Sequence, residues 1–364
     1  MRIALSTGGG DAPGLNAVIR AATFAARRRG WDVVGIRDGF NGLLFPDQYP
    51  EGGVVTLDAS NVRGIGHLGG TMLGSTNRGN PCRYPVKSAD GVVTYVDRTA
   101  ELVQRFRDEG IEALITIGGD GSLSIAQRLY EEGMRVIGVP KTIDNDLDRT
   151  LVTFGFDTAV EIATESIDRL FTTAASHSRI FVVEVMGRNA GWIALYSGVA
   201  SGAHVILIPE IPFTYESVAK AIERREAGGA HYTIVVVAEG AAPKDGSQSI
   251  VERAADHAER LGGIGHTVAD ELTRLTGKEA RTVVLGHLVR GGTPMAADRL
   301  LGSRFGAAAV RALDEGQNGV MVALNEPNVE YVSLADAVGR LRTVPMDCDT
   351  LLAGRELGTS FGDD

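Results

Sequence analysis

Lys141, Thr142, Asp144 and Asp146 lie close together in the stretch PKTIDND, directly after the apolar run Val136–Val139. A carboxylate beside a hydroxyl and a second carboxylate suits a general base whose neighbour helps to place a divalent cation. The same stretch also reads as an Asx-turn leading towards the next helix, because Asp and Asn bond readily to their own backbone. Calcium is excluded. A calcium loop starting at Asp144 needs glycine at its sixth position and glutamate at its twelfth, where this chain has Arg149 and Gly155.

A second acid sits in the glycine turn GGDGS. Gly118 and Gly119 let a ligand approach the backbone, Asp120 could hold Mg2+ through water, and Ser122 could donate to a phosphate or cap the following helix. The earlier cluster STGGGDAPG is not a P-loop, since Leu15 and Asn16 stand where Lys and Ser/Thr belong, and Pro13 occupies the third glycine position of the dinucleotide fingerprint. What remains is a glycine turn exposing backbone N–H groups before a helix, which is either an anion site or a tight packing turn. Arg179 and Arg188 flank Ile180–Val185, and Arg281 and Arg290 flank Val283–Leu285 with His287 between them. Arginine forks match phosphate geometry, although any one of them alone reads as a surface ion pair. Glu239 would accept from sugar hydroxyls or simply be solvated. The histidines show no zinc-binding spacing.

These groups work together only if a scaffold brings them to one edge. Short Val/Ile-rich runs at Ile3–Leu5, Asp32–Ile36, Ala113–Ile117, Val136–Val139, Ile180–Val185, Val205–Ile208, Thr233–Ala238, Val283–Leu285 and Val320–Leu324 read as strands. They alternate with helical patterns at Leu15–Arg29, Ala100–Arg107, Ser124–Glu132, Asp157–Phe171, Tyr215–Arg225, His266–Leu275, Ala297–Leu313 and Leu334–Leu341. Such alternation predicts parallel α/β sheets, in which ligands lie outside the carboxyl ends of the strands. Most of the glycine and charge clusters above follow a candidate strand.

The 364 residues suffice for two domains, and 44% hydrophobic with 23% charged residues excludes wholesale disorder. A net charge of −10 gives no footprint for nucleic acid or an anionic membrane. Two cysteines, Cys82 and Cys348, are too few for a disulfide framework and fit a reducing compartment. With no signal-peptide core and no membrane-length apolar stretch, the sequence reads as cytosolic.

Taken in order, GGGDAPGLNAVIR, IGGDGS, PKTIDND, SHSRIFVVEVMGR and VVLGHLVRGGTP resemble the phosphofructokinase family from the first strand to about residue 325. The resemblance implies two similar doubly wound α/β domains with mostly parallel sheets and an active site in the cleft between them. The nucleotide domain would take 1–155 plus about 290–340, and the sugar-phosphate domain 156–289 plus about 341–364. By the same resemblance, Asp144 is the base that takes the proton from the sugar 1-hydroxyl, with Thr142 beside it, Asp146 supporting phosphate and metal, and Arg188 in the catalytic group. Asp120 matches the magnesium-binding acid, so Mg2+ is the implied cofactor. Gly10, Gly121 and Ser122 match the nucleotide-phosphate loops, and Arg78 the arginine that bridges the two substrates, at a spacing one residue off the commonest pattern. Met186, Gly187, Arg188, Glu239, His287 and Arg290 match sugar-phosphate contacts. Arg179 and Arg281 match arginines that reach the 6-phosphate from a neighbouring subunit, which implies a dimer or tetramer.

The implied reaction is transfer of the ATP γ-phosphoryl group to the 1-hydroxyl of fructose 6-phosphate. Pyrophosphate-using members of the family tend to carry aspartate where Gly121 stands and lysine where Lys141 stands, so this chain combines one feature of each kind. A carboxylate at 121 would crowd and repel the α-phosphate of ATP, whereas a flexible lysine excludes nothing, so the balance favours ATP. Pyrophosphate is the rival donor. Rivals of other classes are a non-catalytic sugar-phosphate-binding regulator and a dinucleotide-dependent oxidoreductase. Members controlled by ADP and phosphoenolpyruvate carry glutamate where His204 stands, which argues against that form of control here.

Overall fold

Alternate residues of the strand Arg2–Thr7 feed opposite sides of a sheet. Ile3 and Leu5 join one fully buried cluster, while Ala4 joins another. A strand covered on both faces must be apolar throughout, which is why these runs lack a polar face. The computed structural model describes residues 1–88, 90, 92–252 and 260–363. Its contacts divide the chain into two units: Met1–Ile143 with Leu147–Gly155 and Arg290–Arg340, and Asp144–Asp146 with Phe156–Val289 and Leu341–Asp364. The three residues 144–146 thus pack with the second unit, although their sequence neighbours on both sides pack with the first.

Unit 1 holds a seven-stranded sheet in the order Asn328–Ser333, Val320–Asn325, Val136–Pro140, Ala113–Gly118, Arg2–Thr7, Asp32–Ile36, Val54–Thr56. The inner pairs are parallel, and only the outermost strand at each end runs antiparallel to its neighbour. Unit 2 holds a four-stranded, wholly parallel sheet in the order Ala280–Val284, Ile180–Val185, Thr233–Ala238, Val205–Leu207. Both are α/β units with mostly parallel sheets, as the sequence reading expects.

Several local readings change, among them the helix expected at Leu334–Leu341, which ends at Ala337. The strand expected at Val283–Leu285 is Ala280–Val284, so Arg281 lies inside it rather than before it. This is an edge strand with half-exposed residues, and an unbroken apolar run marks only the fully covered part of a strand. The helix expected from Ser124 begins at Asp120, with Gly119 as its N-cap residue, so Ser122 lies in its first turn rather than capping it. A helix absent from the sequence reading, Trp192–Ser201, is apolar and largely buried, and therefore shows no 3.6-residue alternation of polar and apolar positions.

Candidate active site

In unit 1 the chain leaves Arg2–Thr7 to pair Asp32–Ile36 on one side and later Ala113–Gly118 on the other. This reversal is a topological switch point, where an open parallel sheet leaves a crevice beyond its strand ends. The turn Gly8–Gly14 and the turn leading to Ser122 both emerge there. They are locked together: Gly8 N donates to Ile117 O at 3.0 Å, and a Cβ on Gly118 would fall 2.3 Å from Ser122 Cβ. Position 118 therefore has to be glycine for this turn to close. Ser75 Oγ donates to Gly9 O at 2.6 Å, and Gly9 N donates to Thr76 O at 2.9 Å, which ties the loop carrying the exposed Arg78 to the same turn.

Two cations of unit 1 converge on that turn. The buried Lys141 donates from Nζ to Gly10 O, and Arg290 Nη1 donates to Asp11 O at 3.1 Å. Arg290 belongs to unit 1 and lies against Gly10, whereas His287, read with it as a sugar-phosphate contact, belongs to unit 2. Asp120 is exposed, and its Oδ1 accepts from Gly339 N at 2.7 Å. Gly121 differs from its neighbours, because a Cβ there would meet no atom within 4 Å. Protein packing does not explain a glycine at 121. Thr142 is buried, and its carbonyl accepts from Thr153 Oγ1 at 2.7 Å. Gly155 N, closing this segment, donates to the fully buried Asp298 at 2.7 Å.

In unit 2, Asp144 is 8% exposed and Asn145 3% exposed, so a titratable carboxylate is held largely out of water. Asn145 has φ 52°, a left-handed conformation that asparagine tolerates better than most residues. Met186–Arg188 follow the strand Ile180–Val185, and Glu239 follows Thr233–Ala238, its parallel neighbour. The two turns interlock: Arg188 N donates to Glu239 Oε1 at 3.1 Å, and a Cβ on Gly240 would lie 1.8 Å from Arg188 O. Arg188 has φ 52° and an exposed side chain, and Gly187 has φ 143°. His287 is exposed in the short helical turn Gly286–Arg290 after Ala280–Val284. Met186, Gly187, Arg188, Glu239 and His287 therefore share the carboxyl edge of one sheet.

Arg179 and Arg281 do not join them. Arg179 immediately precedes Ile180–Val185, and Arg281 is the second residue of Ala280–Val284, paired with Phe181. Both lie at the amino edge of the sheet, about 20 Å from Arg188 at the usual strand rise. There Glu279 bridges them: Arg179 Nε donates to Glu279 Oε2 at 2.6 Å, and Arg281 pairs with the other oxygen. The Arg179 hydrogen bond is the main cause holding the Glu279 carboxyl below its usual range. On the same edge, His204 Nδ1 accepts from Ile234 N at 2.9 Å, and Phe171 and Tyr232 stand edge-on to its ring. Burial, with a smaller contribution from Arg225, pushes its pKa down to about 4, so the imidazole is neutral near pH 7.

The phosphofructokinase family model matches residues 2–313. The chain belongs to the phosphofructokinase family. It is 51% identical over 363 residues to the ATP-dependent 6-phosphofructokinase of Chloroflexus aggregans, covering 100% of this chain and 98% of that one. It is also 51% identical over 351 residues to the pyrophosphate–fructose 6-phosphate 1-phosphotransferase of Amycolatopsis mediterranei, covering 95% and 97%. Among solved structures, Pichia pastoris phosphofructokinase in the T-state superposes with a TM-score of 0.77 at 32% identity, covering 92% of this chain and 35% of that longer one. Overall identity is the same towards an ATP-named and a pyrophosphate-named relative.

Several supporting residues escape sequence reading. Glu279 stands two positions before Arg281, and the alternating charges of Glu279-Ala-Arg281 leading into an edge strand are the signal that would have found it. Ser75, Glu210, Asp298 and Arg342 carry no local signal, since each acts on backbone or side chains distant in sequence. Among the described residues no group of three or more His, Cys, Asp and Glu side chains could hold a metal, and no helix is long and apolar enough to cross a membrane.

Proposed function

We propose that this chain is an ATP-dependent 6-phosphofructokinase, transferring the γ-phosphoryl group of ATP to the 1-hydroxyl of fructose 6-phosphate. The observation that carries the donor choice is the open space at Gly121, which leaves room for a nucleotide where nothing in the fold requires glycine. Asp144 takes the proton from the sugar hydroxyl, and its burial keeps water from competing for the base. Thr142 and Asp146 flank it. Phosphoryl transfer asks the protein for positioning and charge neutralisation rather than covalent chemistry. Lys141 supplies a cation beside the Gly8–Gly10 turn of unit 1, while Arg188, Glu239 and His287 line the carboxyl edge of unit 2 for the sugar phosphate. A bound Mg2+ would offset phosphate charge, and the exposed oxygen ligand Asp120 suits a hard cation held mainly by its substrate's phosphates.

Arg179 and Arg281 lie at the opposite edge of the unit 2 sheet from this set, which supports a homo-oligomer in which they serve the 6-phosphate of another subunit's site. The pyrophosphate reading is favoured by one observation, the buried Lys141 amine on the Gly10 turn. Steady-state rates with ATP and pyrophosphate against fructose 6-phosphate decide between the two. The purified protein is expected to favour ATP in kcat/KM, and Gly121→Asp to lower ATP-dependent kcat/KM by about 10-fold or more through phosphate repulsion. Because position 121 is open, that variant should fold normally. A wild-type preference for pyrophosphate would reverse the assignment.

A further inference from the structure

The segment after Leu341 lies beyond the family match at 2–313, yet it reaches the aspartate loop. Within unit 2, Arg342 N donates to Asp146 O at 2.8 Å and Arg342 Nη1 donates to Asn145 Oδ1 at 3.2 Å. The guanidinium carbon stands 4.8 Å from the centroid of the Trp192 ring, and Trp192 Nε1 donates back to Arg342 O at 3.0 Å. Two residues on, Val344 N donates to Glu210 Oε1 at 2.8 Å, the carboxylate that also accepts from Gly191 N at 3.0 Å. Arg342 is therefore fixed on one side by Trp192 and the Glu210 bridge, and on the other it grips the two residues that follow Asp144.

We infer that Arg342 is a positioning residue for phosphoryl transfer. It holds Asn145 in its left-handed conformation and thereby fixes the backbone from which the Asp144 carboxylate projects. A planar fork stacked on indole is preorganised in a way that a lysine ammonium is not, so the identity of the side chain matters as well as its charge. A base displaced by even an ångström loses much of its effectiveness while the substrate still binds. The inference rests on Asp144 being the base, and the test separates the two claims.

Kinetic constants of Arg342→Ala and Arg342→Lys would be measured beside hydrogen exchange over residues 142–148 and thermal unfolding. Arg342→Ala is expected to lower kcat about 10- to 50-fold with the sugar-phosphate KM changed less than about 3-fold. Arg342→Lys should recover part of kcat, and exchange over 142–148 should quicken in the alanine variant. Trp192→Phe, which keeps a stacking face but loses the N–H donor, should fall between wild type and Arg342→Ala. Unchanged kcat with unchanged exchange in Arg342→Ala overturns the inference, as does a loss confined to KM or to melting temperature. Should Asp144→Asn leave turnover intact while Arg342→Ala still quickens exchange, the base assignment fails and the grip on the loop stands.

Discussion

The two edges of the unit 2 sheet are built in opposite ways. At the carboxyl edge, turns interlock through backbone: Gly240 presses on the Arg188 carbonyl, Glu239 accepts from Arg188 N–H, and the Asp144–Asp146 loop, with Asp144 and Asn145 buried, is held by Arg342 against Trp192. At the amino edge, Arg179, Glu279 and Arg281 form a side-chain ion-pair chain in solvent, with Arg281 59% exposed. The first edge is held through backbone groups and by a close approach that only glycine allows. The second is adaptable, because exposed pairs exchange partners at little cost. An edge held in this way suits a base that must be placed to within an ångström, and an exposed pair of guanidinium forks suits an anion brought by another molecule.

That contrast can be broken by experiment. The largest effect is expected from Asp144→Asn, which should lower turnover on the order of 100-fold or more while leaving sugar-phosphate binding nearly intact in single-turnover and equilibrium measurements. Turnover close to wild type would remove the carboxyl edge from the chemistry. Arg281→Ala should raise the sugar-phosphate KM by about 10-fold or more, the usual loss of a charge-assisted hydrogen bond to phosphate. Co-refolding the Asp144→Asn and Arg281→Ala chains sharpens the point. If the amino edge serves another copy, hybrids contain some sites with both wild-type residues and activity returns. If hybrids assayed at low sugar phosphate are no more active than the Arg281→Ala parent alone, the arginines act elsewhere.

Smaller effects come from the residues around those arginines. Glu279→Gln should raise the same KM only about 2- to 5-fold, in keeping with the modest worth of an exposed ion pair. His204 gives a pH signature instead. Its folded pKa of about 4 lies below its ordinary 6.5, so the unfolded chain binds the proton first. Its contribution to stability is complete above pH 6.5 and is lost as pH falls towards 4. The melting temperature should drop on the order of 3 °C across that interval from this group, and His204→Phe should flatten that part of the curve. An equal slope in the variant would show that other groups carry the acid sensitivity.

The sequence placed most of the parallel strands and the glycine turns at their tips. An unbroken Val/Ile run records a strand buried on both faces, and a glycine cluster after it records a sharp turn. Local composition carries both signals. It misplaced the edge strand Ala280–Val284, where Arg281 and Thr282 interrupt the apolar run, and it missed the helix Trp192–Ser201, whose burial erases periodicity. It singled out Asp144, but not Arg342, almost two hundred residues later, which grips the loop that carries it.

By itself, then, the chain's order of residues determined the fold class, the family and the chemical identity of the acids, glycines and arginines, because these follow from types and short-range spacing. Only the tertiary structure decided that Arg179 and Arg188, nine positions apart, stand at opposite ends of one strand, that Arg290 lies on the Gly10 turn, that position 121 is open, and that a C-terminal arginine holds the aspartate loop. The reason is geometric. A strand advances about 3.3 Å per residue and carries neighbours in sequence apart, while sheet pairing and packing bring distant segments within hydrogen-bond reach.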